Sequence, residues 1–400
     1  MTTYNFNEVI SRKNTDCAKW DAVNAVFGEK DLLPMWVADM DLPIAKPITE
    51  ALKKRIEHEY YGYPLPMSAS VQEAIVQRMK QKFDWDIRPE WIVATPGVVP
   101  ALFTSVKAFT NPGDAVIIQD PVYYPFWSAI EANGCRVANN PLKLSGEQYE
   151  IDFEDLENQF KPIMRMGPMS PKVRMMILCS PHNPVGRVWT ESELTRLGEL
   201  MVKKDVLVIA DEIHCELLFK GHRHVPFAKI SESFAQNSIT CIAPSKTFNL
   251  AGLEASILII PNPKLRKQFE ESRKGFLPSV NILGMVAMEA AFRYGDEWLE
   301  QFLSHMQSNY DFLEEYFKKN IPQIKVIRPE GTYLVWLDCR ELGLSPKELE
   351  RFMNHKAKVG LDHGYAFGPS GEGFERINIA CPKPLLEDGL NRIKKAVSEL

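Results

Sequence analysis

The chain has 400 residues, 45% of them hydrophobic and 25% charged, with a formal net charge of -5 at pH 7. That length is ample for a large buried core and for about two domains, and the composition excludes disorder or a fibrous repeat as its main character. Mild acidity, with no basic run of five or more residues, argues against a nucleic-acid binder, which needs a cationic stripe to neutralise phosphates.

The opening residues show no basic start followed by an apolar block, and the seven cysteines are scattered without a CxxC pair. Both features lead to the expectation of a reduced, cytoplasmic protein. The most apolar stretches, such as 206–210 and 255–260, are strand-sized and far short of the ~20 residues a membrane-spanning helix needs. The first 50 or so residues read as irregular, because Pro34, Pro43 and Pro47 interrupt any helix. A helical pattern runs from Ile48 to about Tyr60. Another opens at Ser70-Val71-Gln72-Glu73, which has the form of a capping box, and ends near Phe83. From residue 92 onward short apolar runs alternate with helical segments. The predicted strands are 115–119, 173–179, 206–210, 239–243 and 256–260, and Thr190-Glu191-Ser192-Glu193 opens a helix reaching Lys204. Most of these runs are continuously apolar, as suits strands buried on both faces, so the pattern predicts an α/β domain with a largely parallel sheet.

The last hundred residues read differently. A long amphipathic helix from about Asp296 to Lys319 precedes strand-like segments at 324–328, 331–339 and 376–380. Ser345-Pro346-Lys347-Glu348 caps a helix, and a closing helix starts near Leu385. This predicts a smaller α+β domain, giving an N-terminal segment 1–48 associated with the small domain, a large domain 49–290 and a small domain 291–400.

Loops leaving the same ends of parallel strands gather at one edge of the sheet, where ligands bind. Four such loops carry Asp120-Pro121-Val122-Tyr123-Tyr124, Ser180-Pro181-His182-Asn183-Pro184-Val185-Gly186, Asp211-Glu212-Ile213-His214 and Pro244-Ser245-Lys246-Thr247. A fifth segment, Thr95-Pro96-Gly97-Val98-Val99, precedes a helix and offers backbone N–H groups to an anion. Each has a structural explanation when taken singly: a Tyr pair packs, Asn-Pro-x-Gly turns the chain, an Asp at a strand end caps a helix, and a lysine sits at the surface. Their convergence is what points to chemistry. Pyridoxal 5′-phosphate needs an amine for a Schiff base, a carboxylate for its pyridine nitrogen, a donor to its phenolic oxygen, a ring to stack on and an anion hole for its phosphate.

On these residues the sequence resembles the fold-type I pyridoxal-phosphate enzymes of the class I/II aminotransferase superfamily, over essentially the whole chain. The expected architecture is therefore that of the aspartate aminotransferase fold, a mostly parallel sheet in a large domain beside a smaller α+β domain. The spacing is supportive, with 28 residues from Asn183 to Asp211, 35 from Asp211 to Lys246 and 130 from Lys246 to Arg376. The resemblance implies that Lys246 is the Schiff-base lysine, Asp211 the partner of the ring nitrogen, Asn183 the donor to the phenolic oxygen and Tyr123 the stacking ring. It further implies that Gly97, Val98, Val99 and Ser245 serve the phosphate, that His214 lies beside the cofactor, and that Arg376 binds the substrate α-carboxylate. Tyr63 resembles a residue that reaches the neighbouring subunit's phosphate in a homodimer.

Two departures narrow the choice. The arginine expected eight residues after the lysine is Glu254, and the tyrosine expected three residues after the aspartate is His214. Together with Met35-Trp36-Val37-Ala38-Asp39-Met40-Asp41 and Ser245-Lys246-Thr247-Phe248-Asn249-Leu250-Ala251-Gly252-Leu253, they resemble the MalY/PatB family of cystathionine β-lyases, or C–S lyases. The implied reaction is an α,β-elimination in which an S-substituted L-cysteine such as L-cystathionine loses its Cα proton to Lys246 and a thiol from Cβ, giving pyruvate and ammonia. An aminotransferase shares every cofactor residue and is the alternative; a regulatory protein-binding role of the same fold is a second. No metal is expected, since Gly221-His222-Arg223-His224 reads as a polar turn. Adjacent His214 and Cys215 face different ways and make no nucleophile pair, His355 and His363 carry no assignment, and 368–373 reads as a flexible loop near the site mouth.

Overall fold

A computed structural model of the chain describes residues 2–161 and 171–400. Seven strands form the central sheet: β1 (Ile92–Thr95), β2 (Ala115–Ile118), β3 (Arg136–Asn139), β4 (Val173–Cys179), β5 (Leu207–Asp211), β6 (Ser238–Ile242) and β7 (Ser256–Ile259). Their spatial order is β1-β7-β6-β5-β4-β2-β3. The five strands from β6 to β3 pair in parallel, and β7 runs antiparallel to both of its neighbours. The continuous apolar runs have a direct structural reason. Val116, Ile118, Met175, Ile177, Leu207 and Ile209 enter one core, whereas Ile117, Met176, Leu178, Val208 and Ala210 enter another. Successive side chains point to opposite faces, and both faces are covered.

Helix α1 (Lys46–Ile56) starts with Pro47 in its first turn, where a missing N–H costs nothing. The expected break at Pro47 is thus a helix start, and the helix ends at Ile56 rather than near Tyr60. Ser70 is likewise not a cap. Helix α2 (Ala69–Phe83) is capped by Ser68, whose hydroxyl accepts from Val71 N at 3.3 Å, while Ser70 Oγ bonds Glu289. Helix α3 (Val98–Phe109) follows β1 directly. Helix α4 (Glu191–Lys203) has the expected capping box between Thr190 and Glu193.

The second sheet holds β8 (Lys325–Ile327), β9 (Leu334–Asp338), β10 (Asp362–His363) and β11 (Phe374–Asn378), in the order β8-β9-β11-β10 and antiparallel throughout. The strand expected at 376–380 begins two residues earlier, which puts Arg376 at its centre. Helices α5 (Asp296–Asn320) and α6 (Lys383–Val397) pack together beside this sheet. The N-terminal stretch is less irregular than its prolines suggest. It has short helices at Ala18–Asp21 and Val23–Phe27, and Leu33–Pro34 pairs in parallel with Val359–Gly360. Segment 368–373 is not a loose loop either. It forms a 3-10 turn over Pro369–Gly371, and Ser370 N donates to Asp120 Oδ2 at 2.9 Å. A Cβ on Gly364 or Gly371 would fall within about 2.1 Å of the other's carbonyl oxygen, so only glycines allow this approach.

Among the described residues no helix is long and apolar enough to cross a membrane, and no cluster of His, Cys, Asp and Glu is arranged to hold a metal. His224 is no solvated turn residue: it is buried, with Nε2 2.9 Å from Glu212 Oε2.

Candidate active site

Parallel strands deliver their C-terminal ends to one edge, and a cleft of about 760 Å³, counted with its open mouth, lies there. Tyr123 comes from beyond β2, Asn183 from beyond β4, Asp211 from the last residue of β5, and Ser245 and Lys246 from the turn after β6. All five line the cleft, with Gly97, Val98, Val99, His214 and Glu254. The first two loops are tied together where Tyr123 N donates to Asn183 O at 3.1 Å.

Burial governs the charge states. Asp211 is 4% exposed, and burial pushes its carboxyl from 3.8 up to about 7; a hydrogen bond from Ile213 N and the charge of Lys246 offset this only in part. The Lys246 amine donates to Ala38 O at 2.7 Å and is lowered from 10.5 to about 8, chiefly by burial and then by the positive charge of Arg376. The His214 imidazole is held well below its usual range by the same causes, with Lys246 and Arg376 both disfavouring a further cation. Among the described residues its Nδ1 has no hydrogen-bond partner. Burial also raises the Tyr123 phenol and the Cys215 thiol, so both stay protonated.

In the same cleft, α3 presents its N-terminus. The first N–H groups of a helix have no intrahelical partner, and Gly97 has no side chain to cap them. The partial positive charge there suits an anion.

One strap of chain closes the site. Residues 36–42 reach it from the N-terminal stretch, and their backbone groups are taken up one by one. Asn249 Nδ2 donates to Met40 O and Leu42 O at 3.0 and 3.1 Å, and Asn378 Nδ2 to Val37 O at 2.7 Å and Asp39 O at 2.6 Å. Ala38 O accepts from Tyr333 Oη at 3.0 Å as well as from Lys246. Asp39 and Asp41 bind Arg12, and Asp41 binds the buried Lys19 at 2.6 Å.

Arg376 is not among the residues lining this cleft but is bonded to one that is, Asn183. Its Nη1 donates to Asn183 Oδ1 at 2.9 Å, and its Nη2 to Trp36 O at 2.9 Å and to Asp362. Tyr63 is fully exposed and is not among the residues lining the cleft of its own chain. Nothing in the sequence alone marks a role for Ala38, Asn249, Tyr333 or Asp362. The strap motif was visible in the sequence, but no periodicity or charge pattern marked a backbone carbonyl as a ligand of the lysine.

The donor set fits the cofactor that the resemblance implies. Asp211 is buried with no ion pair among the described residues, and a protonated ring nitrogen would supply the missing cation. The uncapped α3 terminus would take the phosphate, and a lysine with its amine near 8 is a ready nucleophile.

Comparison with known proteins agrees with this geometry. Residues 31–393 match the class I and II aminotransferase family. Cystathionine beta-lyase PatB of Bacillus subtilis is 44% identical over 395 residues, covering 98% of this chain and all of the relative. A PLP-bound structure from Clostridium difficile 630, provisionally named an aminotransferase, superposes with a TM-score of 0.94 at 43% identity, covering 99% of this chain and 100% of that one. The PLP-bound C–S lyase of Staphylococcus hominis superposes with a TM-score of 0.91 at 32% identity, over 99% of this chain and 98% of the other.

Proposed function

The chain belongs to the class I and II aminotransferase family, and within it we propose that this protein is a pyridoxal-phosphate-dependent carbon–sulfur β-lyase. Its substrates are L-cystathionine or related S-substituted L-cysteines, converted to a thiol, pyruvate and ammonia. The observation that carries this reading is the full-length 44% identity to a cystathionine β-lyase, on a chain whose cleft joins Lys246, Asp211 and the uncapped α3 terminus.

Pyridoxal phosphate, when bound, supplies an electron-withdrawing ring that stabilises the negative charge left at a substrate's Cα. Everything else is done by the chain. Lys246 Nζ would hold the cofactor covalently, and its freed amine would take the Cα proton as general base. A pKa near 8 leaves a useful fraction of the amine neutral at physiological pH. Asp211, ionised, would keep a proton on the ring nitrogen. Asn183 spends its carbonyl on Arg376, which leaves its amide N–H groups for the phenolic oxygen. Tyr123 would cover the ring, with His214 neutral beside it. The phosphate would rest on the N–H groups of Gly97, Val98 and Val99 and on Ser245. Glu254 stands where an arginine would add charge, so these neutral donors carry more of the load. Arg376 binds the α-carboxylate, and Tyr63 completes the phosphate site of the neighbouring subunit in a homodimer. The same reading divides the chain at 1–48, 49–290 and 291–400; the pairing of Leu33–Pro34 with Val359–Gly360 supports the link of the first segment to the small domain, whereas both borders fall inside helices, Lys46–Ile56 and Ile282–Tyr294.

The Lys246→Ala protein, reconstituted with cofactor, tests the reading: no pyruvate should form from L-cystathionine. Wild-type turnover by that variant would sink it. The Clostridium relative's name favours a second reading as an aminotransferase, which predicts that product forms only when a keto acid is supplied.

A further inference from the structure

In the small sheet, Asp362 lies opposite Arg376 and His363 opposite Glu375. Successive residues of a strand face opposite ways, so this two-rung ladder carries one acid–base pair on each face. His363 Nδ1 meets Glu375 at 3.0 Å on one side, and Asp362 meets Arg376 on the side toward Asn183 and Trp36. A guanidinium has five N–H donors in a rigid plane. Three are bonded here, by Asn183, Trp36 O and Asp362, and these three contacts fix the plane. Among the described residues Nε is buried with no partner, and of the two Nη1–H groups one remains for a ligand. Trp36 O and Asn183 Oδ1 are single neutral acceptors. Asp362 is the charged contact, and its side chain is only 13% exposed. It is therefore the group that holds a buried cation in one orientation while the neutral acceptors trim its angle.

We propose that Asp362 is a positioning residue for substrate recognition: it holds the Arg376 guanidinium so that the free Nη1–H faces the substrate carboxylate. This rests on the reading of Arg376 as the carboxylate-binding residue. Without Asp362 the guanidinium keeps its charge and its Nη1 bond to Asn183 but loses its fixed plane, and the loss falls chiefly on the ligand's carboxylate.

The experiment uses the cofactor-loaded protein and two ligands with no thiol to lose, L-alanine and L-alaninamide, with binding followed by the change in cofactor absorbance. Asp362→Ala should raise the Kd for L-alanine about tenfold or more, the size expected for losing an oriented charge-assisted contact. Asp362→Asn, which keeps an acceptor, should raise it only about threefold. The Kd for L-alaninamide and the affinity for the cofactor itself should stay within about twofold of wild type in both. If Asp362→Ala does not load cofactor, the Asn variant decides. An unchanged Kd for L-alanine, or an equal loss for both ligands, overturns the proposal. Arg376→Lys separates the two layers. If it leaves L-alanine binding intact, the carboxylate assignment of Arg376 fails; if it weakens binding and the Asp362 variants do not, only the positioning role fails.

Discussion

Replacing Asp211 by Asn should stabilise the cofactor-free protein while weakening its hold on pyridoxal phosphate. Asp211 ends β5 in the interior, where burial moves its carboxyl from 3.8 to about 7. A carboxyl whose pKa is raised on folding keeps, between those two values, a proton that the unfolded chain has released. Stability therefore falls as pH rises from about 4 to 7 and stays lowered above that. The full displacement corresponds to about 4 kcal/mol at 1.36 kcal/mol per pKa unit, and about 2–3 kcal/mol of it develops between pH 5 and pH 8. Asn has the same shape and can still accept from Ile213 N, and it does not ionise. Urea unfolding of the cofactor-free wild-type and Asp211→Asn proteins, at one protein concentration and at both pH values, measures the effect. The advantage of the variant should be larger at pH 8 than at pH 5 by roughly 2–3 kcal/mol. With cofactor bound the order should reverse, because the ring nitrogen then lacks its anion. An advantage equal at the two pH values would refute the claim that Asp211 is a strained, cation-seeking carboxylate.

Lys246 must be neutral to attack, and its amine is lowered to about 8 by burial and by Arg376. The rate at which cofactor-free protein captures pyridoxal phosphate, read by absorbance, should thus rise with a midpoint near pH 8; a midpoint above 10 would contradict the site's electrostatics. Gly186 closes the turn that presents Asn183, at φ +73° with a would-be Cβ 2.8 Å from Pro329 Cβ. Gly186→Ala should cost on the order of 1–3 kcal/mol in denaturant unfolding, from left-handed strain and overpacking together, and should loosen cofactor binding through Asn183. Thr190→Ala, which removes the capping box of α4, should cost about 1 kcal/mol and leave cofactor affinity unchanged.

The central strands were readable because burial on both faces forces unbroken apolar runs, and β4 matches its expected bounds residue for residue. The order of the loops followed from the parallel arrangement, so Tyr123, Asn183, Asp211 and Lys246 could be expected at one edge. What the sequence hid were contacts in which a residue's type is irrelevant. Ala38 matters through its carbonyl, and any residue there would offer the same atom. The Ser68 cap eluded the pattern because Ser70 offers an equally good hydroxyl two residues on. Which one caps is decided by the extended backbone at Ser68 and by the pull of Glu289 on Ser70. Asp362 lies 14 residues from Arg376, and only the register of β10 against β11 makes them partners. The Gly-rich stretch at 368–373 looked loose because glycine permits looseness, whereas here it permits a carbonyl approach that no other residue tolerates.

The most direct test of the account is product stoichiometry. Purified protein loaded with pyridoxal phosphate is given L-cystathionine with no keto acid present, and pyruvate and free thiol are measured together. The β-lyase assignment predicts that both accumulate in equal amounts over many turnovers. Cofactor that binds without releasing either product, or product that appears only once a keto acid is added, would contradict it.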